Sequence, residues 1–451
     1  MELDNKSVRY RSALLDQYRN RANGVLHLGA HKGQERDAYQ SLSLKVLWVE
    51  ANPEIFNNLK KNIFSYENQE AFCALLADVN GKQIDFNISN NSDGVSSSIF
   101  DFGEYAKGNE SLWPNLNLNM VNKITLTSTT IDSLFEANNV NGEDYDFWLL
   151  DLQGAELLAL NGAKTSLKFC KYLYVEVSTV EVYQGGVSWE ELNSFLTEIG
   201  FIALWEPEIG HDDILFVRNS ILDAHLKVFD SEFYQRHNSR RLEHLASLQL
   251  DLMDKNVLEI AAGVGDHTSF YQDRGCDITV TDVRQENLKY MKNRFQRDGN
   301  IKVQFFDIDN PVEFEEYFDL VHCYGALYHS SNPEKLIEYL SKTGQTLLME
   351  TCVTPEGKDT FLVNEHSFDP SQAFYGKGCR PGRSWLWEVL SKNFEFVYTT
   401  RTQPVHEEFP VLWSDIKISK SNLTRGVFIA SHTAINNHNL IPALIERHQT
   451  Y

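Results

Sequence analysis

Two short glycine-bearing turns, each followed by an acid about twenty residues on, are the parts of this chain best fitted to chemistry. In the first, Gly29, Ala30, His31 and Gly33 precede Glu50; in the second, Ala261, Gly263 and Gly265 precede Asp282. A glycine turn at the end of a buried strand lets a ligand come close to the backbone, and the helix that follows offers free N–H groups. An acid ending the next strand can accept both hydroxyls of a ribose. The pattern points to a nucleoside cofactor, used twice. A dinucleotide would call for G-x-G-x-x-G, whereas the turns read GAHKG and AAGVGDHT. Glu259, just before the second turn, would sit poorly beside a pyrophosphate. A nicotinamide or flavin oxidoreductase is the competing enzyme class.

The elements that must position these residues are legible as buried runs. GVLHLGA (24–30) and KVLWVE (45–50) flank a helix over 33–42, and NVLEIAAG (256–263) and DITVTD (277–282) repeat the arrangement. Each half then has a strand ending in a polar residue (146–151 and 318–323) and another buried strand (172–177 and 345–350). Each closes on two apolar runs, 200–205 with 213–218 and 394–400 with 426–431. Continuous apolar strands alternating with helices predict parallel sheets covered on both faces. At 451 residues the chain exceeds one ordinary core, so two domains are expected, 1–220 and 221–451. Leu242, Leu245 and Leu248 recur at helical spacing over 233–252, which reads as a packing helix or as a lid over the second site.

A formal net charge of −22 without a dense Lys/Arg run argues against a nucleic-acid partner. The first twenty residues lack the apolar core of a signal peptide, and no run of roughly 20 apolar residues could span a bilayer. The six cysteines are scattered, with no zinc spacing, as in a reducing compartment. A soluble cytoplasmic protein is the expectation.

Residues 24–218 resemble the FkbM family of methyltransferases through VLHLGAHKGQE, VLWVEANPEIFNNLKKNI, VSSSIF, STTIDSL, LLDLQGAELLALNGA and YLYVEVS. Residues 232–432 resemble a class I methyltransferase family found with polysaccharide and natural-product genes, through FYQRHNSRRLEHLASLQLDL, VLEIAAGVGDHTSF, YGALYHSSNP, LLMETCV, GCRPGRSWLWEVL, TQPVHEEFP and LTRGVFIAS. The resemblance implies an α/β fold of two Rossmann-like class I domains, each a mostly parallel sheet with an antiparallel terminal strand pair. It implies S-adenosylmethionine as cofactor, S-adenosylhomocysteine as product, and oxygen of sugars or polyols as acceptor. It places Glu259 near the amino-acid end of the cofactor. His27 stands where the FkbM-like pattern usually has Asp, His31 where Asn or Gly is common, and Ala261 where the first glycine is usual.

Methyl transfer to a hydroxyl is an in-line displacement that needs alignment and a base near neutral pKa. His329, after the fourth strand of the second half, is the first candidate, against a purely structural histidine. Tyr324 and Tyr328 flank it, the latter a possible hydroxyl contact. Asp307 is expected to accept from the adenine amino group. Arg380 and Arg383 could hold an anionic group of the acceptor, or make a surface ion pair and a helix start, with His406 a weaker acceptor contact. In the first half Asp151 and Glu156 could serve as base or as ligands to a divalent metal, and Glu176 is a further candidate. Glu156 could equally just favour a helix N-terminus. The insertion over 89–124 carries Ser96, Ser97, Phe102, Tyr105 and Trp113, which suits a sugar-binding lid or a disordered loop. The expected partner is a small-molecule or glycan acceptor, methylated once per domain. Alternatively, the first domain is a degenerate binding module beside one catalytic domain.

Overall fold

The computed structural model describes residues 5–107, 109–355, 359–415 and 424–450. It divides into two compact units, Met1–Leu222 and Asp223–Tyr451.

In the first unit α1 (Asn5–Arg19) leads into β1 (Gly24–Leu28), α2 (Arg36–Ser41), β2 (Lys45–Glu50), α3 (Pro53–Ile63) and β3 (Gln69–Cys73). After β4 (Leu75–Leu76), β5 (Gln83–Ser89), β6 (Met120–Thr129) and α4 (Ile131–Ala137) come β7 (Phe147–Leu150), α5 (Glu156–Asn161) and β8 (Tyr172–Ser178). α6 (Trp189–Glu198), β9 (Phe201–Ala203) and β10 (His211–Arg218) complete the unit. The sheet runs β3-β2-β1-β7-β8-β10-β9, parallel until β10 enters antiparallel to β8 and β9. All five residues of β1 are buried, because helices cover both faces of a central parallel strand. α3 starts where it does because Asn52 Oδ1 accepts from Glu54 N at 3.0 Å and Pro53 supplies a preset φ at the first turn.

Past α7 (Asn219–Leu226), the second unit contains α8 (Glu232–Ser247), β11 (Asn256–Glu259), α9 (Thr268–Gln272), β12 (Asp277–Asp282) and α10 (Gln285–Arg294). There follow β13 (Ile301–Phe305), β14 (Phe318–Tyr324), α11 (Pro333–Thr343), β15 (Gly344–Cys352), β16 (Thr360–Asn364) and β17 (Lys377–Pro381). The last elements are α12 (Arg383–Asn393), β18 (Phe396–Thr400), β19 (Arg425–Ser431) and β20 (Leu440–Ile441). The sheet order, β13-β12-β11-β14-β15-β19-β18-β20, repeats that of the first unit, with β20 as an extra antiparallel edge strand. In both units, therefore, the first strand lies beside the fourth, and the order reverses there. Open α/β sheets bind ligands at the carboxyl ends of the strands flanking such a point.

Two segments depart from the sequence reading. The insertion over 89–124 is not open: β5 and β6 form an antiparallel hairpin, and the irregular loop between them folds on a small core of Phe102, Ala106, Leu118, Val182 and Tyr183. β16 and β17 form a second hairpin, which the sequence reading did not include. α8 serves both expected roles. Leu245 and Leu248 pack into the core, while His237 and Arg241 border the cavity described below.

Candidate functional site

Each unit has a cavity at the carboxyl ends of its strands. The first, of ≈ 690 Å³, is bordered by Gly29, His31, Glu50, Asn52, Asp151 and Gln153 from the sheet end, and by Gly94, Val95, Ser97 and Ile99 from the cap. The second, of ≈ 1390 Å³, is bordered by Ala261, Gly263, Asp282, Asp307, Tyr328, His329 and Arg380, and by Pro370–Gln372, Phe374 and Tyr375 of the β16–β17 loop.

The two turns share one backbone signature. Gly29, His31 and Gly33 have φ of 84°, 44° and 68°; Ala261, Gly263 and Gly265 have 51°, 61° and 77°. A Cβ on Gly29 would meet Asp151 O at 1.8 Å, so β1 and β7 come as close there as only glycine permits. The acids are held identically. Glu50 accepts from His31 N and from Asn52 N, both at 2.8 Å; Asp282 accepts from Gly263 N at 2.9 Å and from Arg284 N at 2.8 Å. In each case one carboxylate oxygen is fixed by the turn and the other by the residue two on. Each oxygen retains acceptor capacity toward the cavity, which fits a ribose diol. Burial pushes Glu50 up to about 7 and Asp282 up to about 6, with the backbone N–H groups pulling both back.

The units differ one turn earlier. His27 in β1 is buried, stacked on Trp48 at 4.7 Å and 3.2 Å from Tyr39 Oη, and burial lowers its pKa to about 3. The residue in the same place on β11, Glu259, accepts from Thr268 Oγ1 at 2.7 Å, and burial raises it to about 7. Neither borders its cavity, which corrects the expectation of direct contact by Glu259. Ala30, Gly33 and Gly265 are corrected in the same way. Ala30 N is tied to Val49 O at 3.0 Å. Gly33 makes room for Leu59 and Gly265 for Phe295, so both glycines serve packing under the turn.

Asp307 borders the second cavity, but its Oδ2 already accepts from Asn310 Nδ2 at 2.8 Å and Tyr375 Oη at 2.7 Å. Oδ1, which accepts from Asp309 N at 2.9 Å, is left to receive a ligand donor. His329 stands on a short 3₁₀ turn, Leu327–His329, just past β14. Its Nδ1 lies 2.6 Å from Oε2 of Glu365, whose other oxygen is 3.2 Å from Arg380 Nη1. A carboxylate on Nδ1 fixes the proton there and leaves Nε2 as the acceptor. Burial lowers the His329 pKa, and Glu365 partly restores it. Tyr328 Oη accepts from Arg425 Nη2 at 3.1 Å. Arg425 Nη1 reaches Glu350 Oε1 at 3.1 Å, and Arg241 Nη2 reaches Glu350 Oε2 at 2.7 Å, so the fully buried Glu350 is paired twice.

Two proposed acceptor contacts lie off this cavity. Arg383 opens α12, donates to Ile445 O at 2.6 Å and lies over Trp413 at 4.3 Å. His406 turns toward His237, ring centroids 4.6 Å apart. For Arg383 the carbonyl of Ile445 supplies the partner inside the fold.

In the first unit Asp151 borders the cavity and binds the Gln153 side chain, whose Nε2 also donates to Glu176 Oε2 at 2.8 Å. Glu176 is one residue behind the cavity, with His211 Nε2 2.8 Å from its Oε1. Burial holds Asp151 and Glu176 well above the usual carboxylate range, with repulsion from Glu176 adding to the first and from Glu156 and Asp213 to the second. Gln153 Oε1 accepts from Tyr183 Oη. Glu156 Oε1 accepts from Leu152 N at 2.9 Å and Gly154 N at 3.2 Å, so this carboxylate braces the turn at the start of α5, the structural alternative of the sequence reading. Ser97 borders the cavity, its hydroxyl bridging Ser89 N and Gly94 O. Trp113 lies outside it, edge-on to His211 at 5.4 Å. Phe102, expected in a sugar-stacking lid, is buried against Tyr183 at 5.6 Å.

Sequence reasoning missed Gln153, His211, Glu365, Arg241, Arg284, Glu350 and Arg425. Gln153, Arg241, Glu350 and Arg425 do fall within the stretches LLDLQGAELLALNGA, FYQRHNSRRLEHLASLQLDL, LLMETCV and LTRGVFIAS, and Glu350 and Arg425 are charges beside apolar runs.

Among the described residues no helix is long and apolar enough to cross a membrane. Residues 27–203 match the family model described as the methyltransferase FkbM domain, and residues 257–347 that of a methyltransferase domain. The chain is 32% identical over 166 residues to squalestatin hexaketide synthase of a Phoma species, which covers 32% of this chain and 6% of that protein. It is 28% identical over 118 residues to a ubiquinone biosynthesis O-methyltransferase of Coxiella burnetii, covering 25% of this chain and 50% of that protein. The chain thus spans half or less of these curated relatives. Among solved structures it is similar to the N-terminal domain of EvdMO1 in the presence of SAH and D-fucose. There the identity is 18% and the TM-score 0.35, over 45% of this chain and 84% of that one. It is also similar to an S-adenosylmethionine-dependent methyltransferase of Mesorhizobium loti, at 11% identity and TM-score 0.32, over 42% of this chain and 96% of that one. The chain thus carries two methyltransferase-type stretches in tandem, one matching the methyltransferase FkbM domain and a second matching a methyltransferase domain.

Proposed function

We propose that the protein is a bifunctional O-methyltransferase acting on hydroxyls of a sugar, a glycan or a glycosylated metabolite, with one transfer in each domain. The observation that carries this reading is the duplicated cradle. In both units a turn of the same φ signature and an acid gripped by two backbone N–H groups stand beside a cavity that also holds an acid–base group. S-adenosylmethionine, bound in that cradle, supplies an electrophilic methyl group. In the second unit His329 Nε2 takes the acceptor's hydroxyl proton, Glu365 holds the ring in that tautomer, and Arg380 and Tyr328 orient the acceptor. In the first unit the base is the Asp151 carboxylate, steadied by Gln153, with Glu176 and His211 behind it.

The alternative of one catalytic and one degenerate domain draws support from His27, an uncharged ring where the second unit has Glu259. Calorimetric titration of S-adenosylhomocysteine into the intact, cofactor-free protein decides between them. Two equivalents are expected, with Glu50→Ala and Asp282→Ala each removing one. One equivalent, lost only in Asp282→Ala, would establish the degenerate reading.

A further inference from the structure

His237 on α8 and the His406–Glu408 segment between β18 and β19 meet at the wall of the second cavity, which His237 and Glu408 border. One ligand atom from each of His237, His406 and Glu408 lies within 4.8 Å of the other two. The two rings are 4% and 7% exposed and sit among Phe233 and Phe409. Both Nε2 atoms are sealed from solvent and make no hydrogen bond among the described residues. The closest acceptors are Glu408 Oε2, 3.5 Å from His237 Nε2, and Glu407 Oε2, 3.6 Å from His406 Nε2. Buried imidazole nitrogens ordinarily find partners, and two neighbouring ones without any mark a place where something else binds.

We propose that His237, His406 and Glu408 form a site for one divalent transition-metal ion of the zinc type. Two imidazoles and a carboxylate are the donor set that such ions take in three-ligand sites, with a further position left to water or substrate. Glu408 N lies 3.3 Å from His406 Nδ1, a long contact that a change of tautomer gives up at little cost. The cations nearby are already paired: Arg425 Nε with Glu408 Oε2 at 2.7 Å, Arg241 and Arg425 with Glu350, and Arg236 with Glu407. The Arg425 contact is the kind of outer-shell bond that orients a ligating carboxylate. A second buried trio, Glu259, His267 and His322, lacks this vacancy. His267 Nδ1 and His322 Nε2 face each other at 3.0 Å, and the remaining nitrogens meet Asn238 Oδ1 at 3.2 Å and Tyr271 Oη at 2.8 Å.

Because His237 and Glu408 border the cleft, an ion held there would lie at its wall, where it would draw in a hydroxyl and make its proton easier to remove. That use rests on the methyl-transfer reading, whereas the site itself rests only on its three residues. The test uses the full-length chain, stripped with a chelator and titrated with Co²⁺ under visible absorption, then with Zn²⁺ against a chromophoric chelator. The expected result is one equivalent of cobalt with the intense bands of a low-coordinate site, displaced by one equivalent of zinc. His406→Ala and Glu408→Gln should each weaken zinc at least ~100-fold, while His322→Gln leaves it unchanged. Glu408→Gln keeps its shape, so it reads the site even if His406→Ala does not fold. Absence of cobalt bands in the unaltered protein, or zinc affinity unchanged in Glu408→Gln, would overturn the assignment. Metal binding without any methyl transfer would leave the site standing and remove the function proposed for it.

Discussion

The two domains use the same turn with different residues, and the differences show what each position is for. Gly29 and Ala261 occupy the same place, yet only Gly29 is forced to be glycine, by Asp151 O. His31 and Gly263 both offer the N–H that fixes the ribose-side acid, so the backbone rather than the side chain is the working part. His27 and Glu259 show the reverse case. The backbone is alike and the side chain differs, an uncharged ring packed on Trp48 against a carboxylate on Thr268. The acid–base groups differ most, a pair of carboxylates bridged by an amide in one domain and a histidine–glutamate pair in the other.

The sharpest way to break this comparison is His329→Gln. It should lower kcat of the second domain by about 10²–10⁴-fold while leaving S-adenosylhomocysteine affinity intact, measured by single-turnover methylation and calorimetry. Loss of binding as well would mean that the residue holds the fold together. The pH profile sharpens the same point. His329 must be neutral to take a proton, and burial lowers its pKa. Activity of the second domain should therefore persist below pH 6.5, the ordinary histidine value, and fail only as pH falls through the lowered one. An acid limb at or above 6.5 would assign the base elsewhere.

Next in size is a paired substitution. Gly29→Ala drives a methyl group into Asp151 O and should destabilise the first domain by about 3 kcal/mol. Ala261→Gly should cost about 1 kcal/mol or less. Thermal unfolding of the two variants reads the contrast, and equal effects would mean the turns are interchangeable. The smallest effect is expected from His31→Gly, which relieves a left-handed φ of 44° and keeps the N–H on Glu50. Stability should shift by less than about 1 kcal/mol, with the first-site affinity unchanged. A marked loss of affinity would show that the ring itself touches the ligand.

The strands, the turn-and-acid pairs and the doubling of the architecture were legible in the sequence because they are local. An apolar run, a glycine and an acid at fixed spacing carry their own signal. What was not legible arises from chain-distant neighbours. Glu365 reaches His329 only because β16 and β17 pair, and His211 reaches Glu176 only because β10 runs antiparallel to β8. For Glu156 and Arg383 the plainer of the two readings, a place at a helix start, is the one the structure shows. A charge beside a presumed site is read as facing it, and here backbone groups on the other side claimed it first. The packing of the cap over 90–119 was hidden because its core draws on Val182 and Tyr183, far along the chain.

Arg284 links two parts of the second domain that have so far been taken separately. Its backbone N–H grips Asp282, and its guanidinium donates to the carbonyls of Ser367, Asp369 and Gln372 in the β16–β17 loop. The loop is latched to the same residue that steadies the acid. By thermodynamic reciprocity, whatever settles against Asp282 also stiffens the loop, and whatever orders the loop raises the affinity at Asp282.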